Sequence, residues 1–153
     1  MALTLSSPAF ALGQSIPDDY SCKGRNISPA LAWSGAPANT VSYAIILNDP
    51  DAPSGDFVHW VIFNIPAVSQ GLAQGLSHEA TFSDGAAQGK NSGNRQYYEG
   101  PCPPSGTHRY FFRLYALDAR LELAPGATAD QVRKAIQGHI LAEGELMGTF
   151  AAK

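Results

Sequence analysis

Apolar positions along the chain fall into short runs set between stretches rich in glycine and proline. "VSYAIILN" (41–48) is almost continuously apolar and rich in β-formers, the pattern of a strand buried on both faces. "FVHWVIFNIP" (57–66) predicts a second such strand. Period-two alternation puts Phe57, His59, Val61 and Phe63 on one of its faces and Val58, Trp60 and Ile62 on the other. "THRYFFRLYALD" (107–118) is the clearest strand, sending His108, Tyr110, Phe112 and Leu114 one way and Arg109, Phe111, Arg113 and Tyr115 the other. Short strands are predicted at 3–5 and 31–33, and "EGELMGTFA" reads as a closing strand. One stretch, "TADQVRKAIQGHI", has helical spacing. Thr128 is its N-cap, Asp130 lies in its first turn, and Val132, Ala135, Ile136 and Ile140 form its apolar face. Between Gln70 and Ser105 Gly, Ser, Asn, Gln and Pro dominate, and loops of that length inside a compact domain are commonly functional or mobile.

Composition narrows this to a single β-rich domain over 1–153 with one or two peripheral helices. A chain of 153 residues with 15 glycines and 11 prolines has room for one core and favours strands and loops over a helical bundle. The net charge of −3, with basic residues scattered, argues against a nucleic-acid partner. No apolar stretch approaches a membrane span, so no integral membrane association is expected. The N-terminus lacks a basic start and is broken by Pro8 and Gly13, so it does not read as a signal peptide and a cytoplasmic location is expected. Cys22 and Cys102 are the only cysteines. Two reduced thiols are the favoured reading, and a single bridge between them is left open.

Five polar residues stand out: Asp49, Asp51, His59, His108 and Tyr110. Asp49 and Asp51 lie in "DPDAP", where Pro50 and Pro53 stiffen the backbone enough to hold a carboxylate in one orientation. For Asp51 alone, an Asx-type turn is the favoured reading. Two histidines near strand ends, a tyrosine sharing a face with the second, and a rigid carboxylate can line one polar cavity. A carboxylate against an imidazole favours the protonated ring, which with a hydroxyl and backbone N–H groups suits an oxyanion. "GPCPPSGTHRY" supplies a stiff rim with a glycine that allows close approach. A metal site is weak because no histidine pair has short ligand spacing. There is no G-x-S-x-G elbow and no P-loop, since "GKNSGN" lacks the pattern. No cofactor is expected.

"DPDAP" followed by "HWVIFNIP" and "GPCPPSGTHRYFFRLYALD" resembles the phosphatidylethanolamine-binding protein family, in its bacterial and archaeal Raf kinase inhibitor-like branch. "YSCKGRNISPALAWSGAPANTVSYAIILNDPDAP" and "HILAEGELMGTF" extend the likeness over nearly the whole chain. The resemblance implies an antiparallel β-sandwich with an anion pocket at one end. It assigns Asp49 as the pocket carboxylate, His59 and His108 as the pocket histidines, Tyr110 as the tyrosine two positions on, and Pro53 as the end of the acidic motif. Cys102 falls where the backbone faces the anion. The stretch from Pro104 to His108 is shorter than in animal members, and the chain ends at Lys153 without their long C-terminal helix, so their role in kinase signalling is not carried over.

The expected function is therefore non-catalytic binding of phosphate or a phosphorylated small molecule or head group. Asp49 is expected to hold the charge of His59, and the family at large implies a protease or kinase as protein partner. Two rivals stand beside it. One is a hydrolase using His59 or His108 as general base. The other is an interaction module working through loop 84–105, with Arg95 and Tyr98 as contact residues.

Overall fold

The structure, a computed structural model, describes residues 3–152. Its larger sheet has five antiparallel strands in the order β6-β4-β3-β7-β8. These are β3 (Ser42–Asp49), β4 (Phe57–Pro66), β6 (Ala87–Gln88), β7 (Thr107–Leu117) and β8 (Ile140–Ala151). A smaller sheet of β1 (Thr4–Ser6), β2 (Leu31–Ser34) and β5 (Gly71–Leu72) packs over one face of it. The helix α1 (Ala129–Ile136) covers the other face, and a 3₁₀ turn occupies Asp18–Tyr20. This is the mostly β sandwich that the sequence predicts. Among the described residues no helix is long and apolar enough to cross a membrane.

β3 explains its own composition. All eight of its residues are buried because the strand lies in the middle of the sheet with a core on each side. Tyr43, Ile45 and Leu47 enter the sandwich core with Leu5, Trp33, Phe112 and Leu146, while Ala44 and Ile46 pack under α1 with Phe63, Val132 and Ile136. Alternation along β7 follows the expectation: His108, Tyr110, Phe112 and Leu114 are buried, and Arg109 is exposed. Carried to the strand ends, the same alternation delivers Asp49 of β3 and His108 and Tyr110 of β7 to one end of the sandwich face.

β4 departs from the predicted alternation. Leu47 pairs with Trp60 but Asn48 pairs with Val58, so His59 is an extra residue in the ladder. Such a bulge lets two successive side chains lie toward the same face. Val58 therefore packs under α1 with Val61 and Phe63, Trp60 and Ile62 enter the sandwich core, and His59 turns toward Tyr110. The expected grouping of His59 with Val61 and Phe63 is thereby corrected.

The helix is shorter than its periodicity suggests. Thr128 caps it in a reciprocal box with Gln131, as expected. It stops at Ile136 because Gly138 adopts a φ of 80°, which turns the chain back toward the sheet, and Ile140 opens β8 rather than extending the helical face.

Candidate functional site

At the end of the sandwich face lies a cavity of about 210 Å³. Its wall includes Asp49, Pro53, His59, Cys102, His108 and Tyr110, so the structure brings all six sequence-predicted residues together. Phe57, Ala52, Ser54, Glu99, Gly100, Pro103 and Pro104 complete it.

Asp49 is 3% exposed and both its oxygens are engaged. Oδ1 accepts from the Asp51 backbone N–H at 2.7 Å, and Oδ2 accepts from His108 Nδ1 at 2.7 Å. The carboxylate thus fixes the second histidine. It does not hold His59, as the sequence reading expected, because the bulge directs the His59 ring to the opposite wall. There His59 Nδ1 donates to the Glu99 carbonyl at 2.6 Å. The His59 carbonyl accepts from the Glu99 N–H and the Asn91 side chain, both at 3.1 Å. Loop 91–99 therefore clamps His59 from both its ends.

These surroundings set the rings' chemistry. Burial lowers the proton affinity of His59 from its ordinary value, outweighing its hydrogen bond to the Glu99 carbonyl and the nearby Asp49 charge. With Nδ1–H committed to a carbonyl, the neutral ring presents an unprotonated Nε2. Burial, then the Asp49 charge, keep the Tyr110 hydroxyl well above the usual phenol range, so it stays a neutral O–H at physiological pH. The ring of Tyr110 packs edge-on to His59, with centroids 5.4 Å apart, and Phe57 does the same from the other side at 4.8 Å.

A depressed histidine links stability to pH. The unfolded chain protonates His59 near its ordinary value of about 6.5, while the folded chain resists. Below that value the unfolded state holds more protons, so stability falls on acidification and recovers as pH rises. We expect denaturant titrations between pH 7.5 and 5.5 to show a slope up to about 1.4 kcal/mol per pH unit larger in the parent than in His59→Asn. Equal slopes would mean that the ring accepts a proton freely in the folded protein.

Asp51 does not form an Asx turn of its own. The turn belongs to Asp49, and the Asp51 carboxylate pairs with the Arg109 guanidinium at 2.8 and 2.9 Å and with the Arg109 backbone N–H at 2.9 Å. Those hydrogen bonds hold its carboxyl well below the usual range. The pair fastens the acidic turn to the start of β7, just behind the Asp49–His108 contact.

The rim carries a feature the sequence left open. Cys22 and Cys102 are joined in a disulfide that spans 80 residues, in place of the two reduced thiols favoured from sequence. Gly100 lies so close to the Tyr20 carbonyl and the Asn26 side chain that a Cβ there would strike both. Its N–H donates to Asn26 Oδ1 at 2.8 Å. Tyr98, read from sequence as a surface contact, is instead buried against Trp60, with its hydroxyl on the Tyr20 carbonyl at 2.6 Å. Of that pair only Arg95 remains at the surface. The role of Glu99 was invisible in the sequence because its backbone carbonyl does the work. Among the described residues no group of three or more His, Cys, Asp or Glu side chains is placed to hold a metal.

Comparison with known proteins agrees with this architecture. Residues 6–151 match the family model described as phosphatidylethanolamine-binding protein. A UPF0098 protein of Methanothermobacter thermautotrophicus is 49% identical, over 97% of this chain and 98% of that one. Among solved structures, a phosphatidylethanolamine-binding protein homologue from Chlamydia trachomatis superposes with a TM-score of 0.91 at 40% identity, covering 99% of both chains. Escherichia coli YbcL, described as a member of the mammalian family, gives 0.88 at 28% identity over the full length of both.

Proposed function

Because the chain belongs to the phosphatidylethanolamine-binding protein family, we propose that its cavity binds a phosphate-type anion, free or as a phosphorylated head group or side chain, without turning it over. The observation that carries this is the convergence of two imidazoles and a phenol on one small cavity, with one ring fixed by a buried carboxylate. Cys102 lines the same wall of the cavity beside Tyr110. Asp49 brings a negative charge of its own, so an anion enters more favourably if a proton is taken up with it. Binding is therefore coupled to proton uptake, most clearly at His59, whose ring is kept neutral by burial until an anion arrives. A protease or kinase partner fits the same reading if a phosphorylated or acidic side chain supplies the anion.

The test is calorimetric titration with phosphorylethanolamine and with inorganic phosphate at pH 8 and pH 6. Affinity should rise as pH falls, with proton uptake seen in buffers of different ionisation enthalpy. His108→Ala should weaken binding at least tenfold. Pocket histidines that ignore both ligands at millimolar concentration would end the proposal.

One observation favours a second reading. A histidine whose Nδ1 is held by a buried carboxylate has the form of a general base, and it selects His108 over His59 for that role. Turnover of a phosphoester that disappears in His108→Ala would support the hydrolase.

A further inference from the structure

We propose that the Cys22–Cys102 disulfide is a redox latch on the pocket: reduction by a cellular dithiol loosens the rim and weakens anion binding. The rim is "GPCPPSG" (100–106), in which Pro101, Pro103 and Pro104 have no N–H to donate. It has no regular secondary structure to hold it. What fastens it comes largely from one place, the string of turns around Asp18–Asn26. Cys22 N–H donates to the Pro101 carbonyl at 3.1 Å, Asn26 accepts from Gly100, and the Tyr20 carbonyl accepts from Tyr98. The disulfide is the covalent member of that strap, and Cys102 itself lines the cavity.

Both cysteines are exposed. A thiolate can reach the bond, and exposed disulfides are the labile and regulatory ones. Attack by one sulfur of the dithiol on the bridge gives a mixed disulfide and frees one cysteine. The second sulfur of the reductant then closes its own disulfide and frees the other. Two electrons and two protons pass to Cys22 and Cys102, and the reductant leaves oxidised. The rim, released from a segment 80 residues distant in the chain, can then move away from Tyr110 and His108. A reducing cytoplasm would hold the pocket loose, and an oxidising compartment would hold it latched.

The latch rests on the anion-pocket reading, and the experiment separates the two. Phosphorylethanolamine is titrated into the bridged protein and into protein treated with dithiothreitol under native conditions, with thiols counted and amide exchange followed across 98–110. The result expected is release of two thiols without denaturant, at least tenfold faster exchange in the rim, and at least threefold weaker binding. Cys22→Ser, which keeps Cys102 in the wall, should reproduce the reduced behaviour. Equal affinity of bridged and reduced protein overturns the latch and leaves the pocket standing, as does a bridge that resists dithiothreitol in the folded state. No binding by either form overturns the pocket reading, and the latch with it.

Discussion

Trp60→Ala is expected to destabilise the protein by about 3–5 kcal/mol, the range for deleting a large buried aromatic. Trp60 is 1% exposed and packs edge-on to Tyr98 at 5.5 Å. Its indole N–H donates to Gln88 Oε1 at 2.8 Å, while the Gln88 amide nitrogen serves the carbonyls of Ser77 and Glu79. Alanine would open a cavity in the sandwich core and strand a buried acceptor that now has a donor, so the upper end of the range is expected. Trp60→Phe separates the two effects, retaining most of the packing while still stranding Gln88 at a cost of about 1–3 kcal/mol. Urea midpoints with unchanged slopes would measure both. A loss below about 1.5 kcal/mol in the alanine variant would mean that the core closes over the gap. With total stabilities of about 5–15 kcal/mol for domains of this kind, the larger loss can unfold the chain outright.

Asp49→Ala should damage fold and site together. It removes the acceptor for a buried imidazole and for the Asp51 N–H. Breaking one side of a buried pair costs about 3–5 kcal/mol where the other side stays charged, and less where the ring can remain neutral. We expect a loss near 3 kcal/mol and no measurable anion binding. Asp49→Asn distinguishes scaffolding from chemistry. Its carbonyl can still accept from Asp51, and its amide would donate to His108 Nδ1, forcing that ring into the neutral tautomer protonated at Nε2. That variant should keep most of the stability and the pH dependence that His59 carries, yet lose at least a tenfold share of the affinity. Unchanged binding in Asp49→Asn would show that the carboxylate only positions the ring.

Much of this was legible in the sequence because period-two alternation survives wherever a ladder is regular. β7 is regular at the site, so His108 and Tyr110 could be placed on one face from spacing, whereas Asp49, read as lying in the turn just past the strand, is assigned to the pocket through the family resemblance. The features that escaped were those in which sequence neighbours say nothing of spatial ones. Alternation has no symbol for an added residue, so the turn of His59 out of the helix-facing set could not be read. Two cysteines 80 residues apart carry no pairing information. "IQGHI" fits helical spacing as well as it fits a turn into a strand, and the positive φ of Gly138 decides between them. The carbonyl that orients His59 could have come from any residue type at position 99.

The bulge at His59 has a consequence for engineering the protein. Because Val58 and Trp60 already pair with successive residues of β3, the ladder is complete without the histidine between them. The scaffold and the ligand site are thus nearly separable parts of the same strand. Deleting residue 59 would leave those β3 partners in register while removing both one wall of the cavity and the carbonyl on which Glu99 and Asn91 of loop 91–99 are anchored. Substituting a different residue there would install new chemistry while its backbone carbonyl still anchors loop 91–99, so the side chain of this one slot can change function while the β3 ladder stays in place.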